Sequence, residues 1–187
     1  MHVSDLVARF SAAVRSDKPM MAAHDVLLEL ADDREAVANA LSYLSGRGGN
    51  ALQAFYRSPE LSLLKVSFPS RRRTPPHNHG AWAGILLLSG AERNTFYRRD
   101  GDGRLKRTGE ALLEPGSVLP MAASAAHVAE CIGDEPAVGL HVYGANVLGV
   151  ERSMWDPETL EEHPLDWTLY EEFAQRASRA AAAPLTR

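Results

Sequence analysis

His77 and His79 stand two residues apart in the run Pro75-Pro76-His77-Asn78-His79-Gly80. Side chains alternate faces along an extended chain, so both imidazoles point to one side, as a metal taking two ligands from one strand requires. The two prolines hold an extended approach, because proline fixes its own φ and restricts the residue before it. By itself the pair is equally the pattern of an exposed strand. His127 adds a third imidazole fifty residues after His77, one strand beyond the turn Glu114-Pro115-Gly116. His141 and Tyr143 repeat the two-residue spacing on the strand after that. Four histidines and a tyrosine aimed into one small barrel would be buried polar groups. Such groups need partners, and a metal satisfies several of them at once.

The elements that must hold these side chains fall into three stretches. A chain of 187 residues has the size of one domain. It reads as a helical layer over 1–50, a barrel over 51–155, and a C-terminal segment and helix over 156–187. Ser4 is expected to cap a first helix carrying Leu6, Phe10 and Val14 on one face. Pro19 opens a second, with Met21, Val26, Leu27 and Leu30 as its apolar stripe. Asp33 caps a third, carrying Val37, Leu41 and Leu44; Gly46 stops it, and Gly48-Gly49-Asn50 is a break. From residue 51 short apolar runs alternate with turn signals, at 52–57, 61–68, 82–88, 93–99, 104–113, 117–120, 127–132 and 137–143. Asp100-Gly101-Asp102-Gly103 is a hairpin turn between two of them. Many short strands without intervening helices mean a sandwich, jelly roll or barrel. Helix returns near Asp166, with Leu169, Phe173 and Ala177 on one face, and is expected to fray from Ala180. Trp155 and Trp167 would pin this tail to the barrel, and Trp82 would wall the pocket or pack in the core. His2 and His163 read as surface residues and His24 as part of a polar helix face.

Composition removes several function classes. Apolar residues make up 45% and charged residues 24%, as in ordinary soluble globular proteins. With 20 basic against 24 acidic residues, the net charge of −4 recommends neither nucleic acid nor an anionic membrane as partner. No run approaches the ~18 apolar residues of a membrane span. Residues 2–18 carry Arg9 and Arg15 but no apolar stretch or cleavage site, so they read as a first helix and not as a targeting segment. Cys131 is the single cysteine, which rules out a disulfide framework and fits a reducing, cytoplasmic setting.

The run PPHNHGAWAGILLLSG, then EPG, then His127, then LHVYGANV resembles the cupin superfamily, and within it thiol dioxygenases of the cysteine dioxygenase type. The resemblance spans about residues 52–165. It implies a mainly β cupin barrel, a double-stranded β-helix or jelly roll, with helices before and after it. It also implies one non-haem Fe(II) per chain, held by His77, His79 and His127. His141 and Tyr143 match the family's outer pair, in which the phenol points at the open metal positions. The glutamate ligand of general cupins is missing, since the region reads Ala81-Trp82-Ala83-Gly84, and that loss is typical of thiol dioxygenases. No cysteine stands at Ala83 or Gly84 to cross-link with Tyr143, as it does in the mammalian enzymes. Gly139 replaces the family's serine two residues before His141, and Cys131, read as a small buried residue, replaces an asparagine. Two arginines could grip a substrate carboxylate. Arg57 stands where the animal cysteine enzymes carry theirs. Arg152, nine residues after Tyr143 in HVYGANVLGVER, stands where bacterial 3-mercaptopropionate dioxygenases do. Arg71-Arg72-Arg73 reads as a solvated loop, with the pocket mouth as the lesser reading. The implied activity is oxidation of a small thiol to its sulfinic acid by O2. The same histidines could instead hold zinc or another metal for hydrolysis or isomerisation, or the barrel could bind a small molecule without catalysis.

Overall fold

The structure is a computed structural model and describes residues 1–44 and 51–182. Gly46, the Gly48-Gly49-Asn50 break and residues 183–187 of the tail lie outside them. Helices α1 (Val3–Ala13), α2 (Pro19–Asp32) and α3 (Arg34–Ala40) come first. α1 starts one residue ahead of Ser4, and its N-terminus is closed differently from expectation. The Asp5 carboxylate accepts the backbone N–H of His2 at 2.7 Å. An acidic group in the first turn also complements the helix dipole. Pro19 opens α2 as expected. The buried stripe of α2 is Ala23, Leu27 and Leu30. Met21 is exposed, since it lies two positions, or about 200° around the helix, ahead of Ala23. α3 stops at Ala40, short of Leu44, and the Lys65 ammonium donates to the carbonyls of Leu41 and Leu44 just past its end.

The strands are β1 (Ala51–Arg57), β2 (Ser62–Phe68), β3 (His77–Asn78), β4 (Ala83–Ser89), β5 (Glu92–Arg99), β6 (Leu105–Leu113), β7 (Val118–Met121), β8 (Ala126–Cys131), β9 (Ala137–Tyr143), β10 (Ser153–Trp155) and β11 (Glu162–Pro164). The β5–β6 turn is the tip of the arrangement. There Asp100 accepts the N–H groups of Asp102 and Arg104, each at 3.0 Å, and Gly103 takes a φ of +79°. Behind the tip β4 pairs with β7, β3 with β8 and β2 with β9, all antiparallel. One long two-stranded ribbon is thus wound up so that successive pairs fall in opposite sheets. The sheet orders are β1-β2-β9-β4-β7 and β11-β10-β3-β8-β5-β6. This is a double-stranded β-helix, the jelly roll of a cupin barrel, in a mainly β chain.

Alternation sorts the side chains to two cores. Leu64, Ile85, Leu87, Leu119 and Cys131 pack inside the barrel. Leu63, Leu86, Leu140 and Val142 pack outward against Leu6, Phe10 and Leu27 of the helical layer. Gly84 lets that layer close in, because a Cβ there would come within 2.5 Å of Leu27 Cδ1. Trp82 belongs to this outer packing and lies over Gly144, not in the pocket.

Two features were not legible beforehand. The three-residue strands β10 and β11 are too short to carry a pattern. They extend the second sheet beyond β3, with Met154 opposite His77. Helix α4 (Trp167–Ala182) continues past Ala180, so the expected fraying does not begin there. Asp166 caps it by accepting the Leu169 N–H at 2.9 Å, and Phe173, Ala174 and Ala177 are buried. Trp155 is buried and helps seat the tail, whereas Trp167 is 45% exposed. Among the described residues no helix is long and apolar enough to cross a membrane.

Candidate metal centre

The ribbon register brings the distant histidines together. His77 on β3 lies directly opposite His127 on β8, and residues paired across antiparallel strands share a face. His79 follows two residues after His77 and points the same way. One nitrogen from each of the three lies within 4.8 Å of the others, and all three side chains are buried.

The hydrogen bonds choose the tautomers. His77 Nδ1 lies 3.0 Å from the Pro75 carbonyl, which can only accept, so Nδ1 carries the proton. His127 Nδ1 lies 2.7 Å from Asn94 Oδ1. The Asn94 amide is oriented in turn by donating Nδ2–H to Glu92 Oε1 at 2.7 Å. His127 Nε2 is thereby left as a bare lone pair. It is buried and has no hydrogen-bond partner among the described residues. Burial is the main force holding all three rings neutral, and neighbouring imidazoles add to it for His79 and His127; His77 is pushed down to about 4. Three neutral imidazoles, with the second nitrogens of His77 and His127 fixed, suit a divalent cation, and an orphaned buried acceptor is what such a cation relieves. The residues present therefore fit a metal.

His141 and Tyr143 line the same cavity from β9, with His141 Nδ1 3.0 Å from the phenol oxygen. Burial lowers His141 to about 3 and raises Tyr143 above the ordinary phenol value, so both are neutral at pH 7. A neutral His141 protonated at Nδ1 donates to the phenol oxygen and frees the Tyr143 O–H to donate into the cavity. Ala83 stands opposite Tyr143 in the register, so a methyl group occupies the strand position beside it.

The cavity has a volume of about 610 Å³. Arg152 lines it, half-buried, its guanidinium carbon 5.2 Å from the Trp167 ring centroid. Among the described residues its side chain makes no ion pair. Arg57, the other candidate for the carboxylate, is exposed at the end of β1 and outside the cavity lining. The β1 residue that reaches the cavity is Leu52, five residues and about 16 Å back along the strand. The Arg71–Arg73 stretch is not uniformly solvated either. Arg72 lines the cavity and grips Glu171 of α4 through two parallel bonds of 3.0 and 2.6 Å. Tyr170 of the same helix packs edge-on to His77 with centroids 5.5 Å apart, and burial lifts its phenol to about 12. Tyr170, Glu171 and the Glu92–Asn94 pair are site residues that carry no local spacing signal.

Fold and cluster together describe a cupin-type barrel with a possible three-histidine metal site. No protein-family model matches the chain. Several solved structures are similar to it at low identity. One is an RmlC-like cupin family protein with a double-stranded β-helix fold from Methanocaldococcus jannaschii (8% identity, 56% of this chain and 89% of that one, TM-score 0.45). Another is the cupin domain of Schizosaccharomyces pombe Cnp3 (14%, 58% and 73%, TM-score 0.47). A third is hydroquinone 1,2-dioxygenase from Sphingomonas sp. TTNP3 (12%, 55% and 70%, TM-score 0.44).

The buried rings make stability of the metal-free protein depend on pH. A histidine free in the unfolded chain titrates near 6.5, but His77 in the fold only near 4. Between these values the unfolded state binds a proton that the folded state lacks, so stability rises with pH. His77 alone accounts for about 3 kcal/mol once pH has fallen through 4. Glu92, raised by burial to about 7, acts in the opposite sense, its contribution being lost as pH rises from 4.5 through 7. Four imidazoles outweigh one carboxyl below pH 6.5. Thermal unfolding of chelator-treated protein should therefore show a melting temperature that falls steadily from pH 6.5 to 4. A flat profile over that range would mean that the histidines are not buried neutral.

Proposed function

We propose that this protein is an Fe(II)-dependent thiol dioxygenase, converting R–SH and O2 to R–SO2H. Sulfur loses four electrons, dioxygen gains four, and both oxygen atoms end on sulfur. The observation that carries the reading is the composition of one cavity. Among the described residues it combines three buried neutral imidazoles grouped without a carboxylate, a neutral phenol beside them, and an arginine that makes no ion pair. Ferrous iron, when bound by His77, His79 and His127, supplies thiolate ligation and oxygen activation.

The rest is the work of side chains. Arg152 receives the substrate carboxylate and so sets the reach from acid to sulfur. Its placement against the Trp167 face leaves the N–H edges free for two parallel bonds. Tyr143 donates its O–H toward the reacting atoms, steadied by His141. The Arg72–Glu171 pair ties α4 to the cavity wall.

The test is oxygen uptake by iron-loaded protein against a panel of small thiols, cysteine and 3-mercaptopropionate included, with the sulfinate identified by mass. Zinc-loaded protein should be inactive. Equal activity with zinc, or none with any thiol, would turn the reading toward a hydrolase, an isomerase or a binding protein. Within the active case, Arg152→Ala should weaken acid thiols by roughly ten- to a hundredfold in Michaelis constant, the loss of one charge-assisted pair. A neutral thiol of equal size should be little affected, and Arg57→Ala should leave both unchanged.

A further inference from the structure

We infer that the substrate of this site is a thiol carboxylate bearing an apolar extension of about four to six carbons, or an aryl ring, and not a bare three-carbon thiol acid. The inference rests on the thiol dioxygenase reading and specifies its substrate class.

Volume is the first ground. A cavity of about 610 Å³ lies in the range that accommodates drug-sized ligands. A thiol acid of six heavy atoms would leave most of it to water. The second ground is where the apolar side chains stand. The cation of the lining that makes no ion pair among the described residues is Arg152, since Glu171 holds Arg72. The lining from β1 and β2 is apolar: Leu52, Val66 and Phe68. Leu52 is opposite Val66 in the register, and Val66 is opposite Gly139 on β9, which adds no side chain to that face. Along β2 the inward positions run Leu64, Val66, Phe68, and Leu64 is opposite His141. At two residues per step the trough therefore leads from the level of His141 outward over about 13 Å. That length suits an alkyl chain or ring and exceeds a three-carbon acid.

The third ground is the rim. Leu52, Leu148 and Trp167 are large apolar side chains left more than a third exposed, and all three border this cavity. Apolar groups exposed together around a concave site are characteristic of a ligand groove. Arg152 lies among them, also bordering a second depression that shares Leu148, Leu165 and Trp167. A carboxylate held there leaves the rest of the ligand to lie along apolar surface.

The test is calorimetric titration of the ferrous protein without oxygen. The ligands are 3-mercaptopropionate, its 3-propyl, 3-pentyl and 3-phenyl derivatives, and the matching acids without the thiol. Affinity should rise about three- to fourfold per added methylene, the factor for fully buried apolar carbon, over the first several carbons. Phe68→Ser and, as the milder rim change, Leu52→Ser should each reduce the ratio between the longest and shortest acid. A flat or falling series overturns the inference while a persisting preference for thiols over thiol-free acids leaves the dioxygenase reading standing. A rising series in which the thiol adds nothing overturns the thiol reading, and the assignment of a thiol substrate with it.

Discussion

His127→Ala is expected to fold and to hold no stoichiometric iron. The substitution removes one of three neutral nitrogen donors and the only one contributed from β8. The remaining two lie two residues apart on or just after the short strand β3 and cannot enclose a cation alone. The fold should survive, because His127 Nε2 has no hydrogen-bond partner among the described residues and the one bond lost is that of Nδ1 to Asn94 Oδ1, a cost of about 1–3 kcal/mol. Asn94→Leu grades the effect. It leaves all three imidazoles but takes away the acceptor that fixes the His127 tautomer. Loss of such an outer partner typically weakens metal binding by about 10–100-fold, so this variant should fall between wild type and His127→Ala. It also strips the buried Glu92 carboxyl of its amide donor. A stability loss should accompany it, about 1–3 kcal/mol for each of the two buried groups left unsatisfied, His127 Nδ1–H and the Glu92 carboxyl. Metal per chain by emission spectroscopy and melting temperature by calorimetry read the two effects separately. Full iron content in His127→Ala would mean that the cation sits elsewhere.

Tyr143→Phe should keep its iron and lose about 10²–10³ in turnover. The phenol is no member of the three-nitrogen group, so metal content is untouched. What disappears is one preorganised donor in a buried site, where such donors are worth that much in rate. Burial keeps the group protonated and its hydroxyl is held 3.0 Å from His141 Nδ1, so no reorganisation is needed when charge develops nearby. The affinity for a thiol carboxylate should change far less than turnover, because the contact proposed for the carboxylate is that of Arg152. Oxygen consumption and sulfinate formation should be measured together. Unchanged turnover would remove Tyr143 from the chemistry. Denaturing gels should show a single band, since Ala83 opposite Tyr143 offers no sulfur for a cross-link.

Local periodicity carried the strands and the donor types. The H-x-H and H-x-Y spacings are legible because a strand alternates every two residues whatever surrounds it. Short apolar runs between turn signals located β1, β2 and β4 through β9 to within one residue at every end. The mainly β barrel with helices at both ends followed from those runs and from the motif resemblance. What periodicity cannot carry is register and docking, since both are fixed by contacts between distant segments. That His77 stands opposite His127 depends on how the whole ribbon winds. That Arg152 and not Arg57 reaches the cavity depends on two three-residue strands too short to have a pattern. Tyr170 and Glu171 enter the site because α4 packs along the cavity wall, where Glu171 meets Arg72 from ninety-nine residues away. Asn94 and Glu92 look like ordinary polar positions on a β strand until β5 pairs with β8 and turns them inward behind His127. The chemistry-bearing residue types are thus written in short spacings. Their convergence on one cavity comes from non-local pairing, where burial removes water and leaves each lone pair only the partners that the fold supplies.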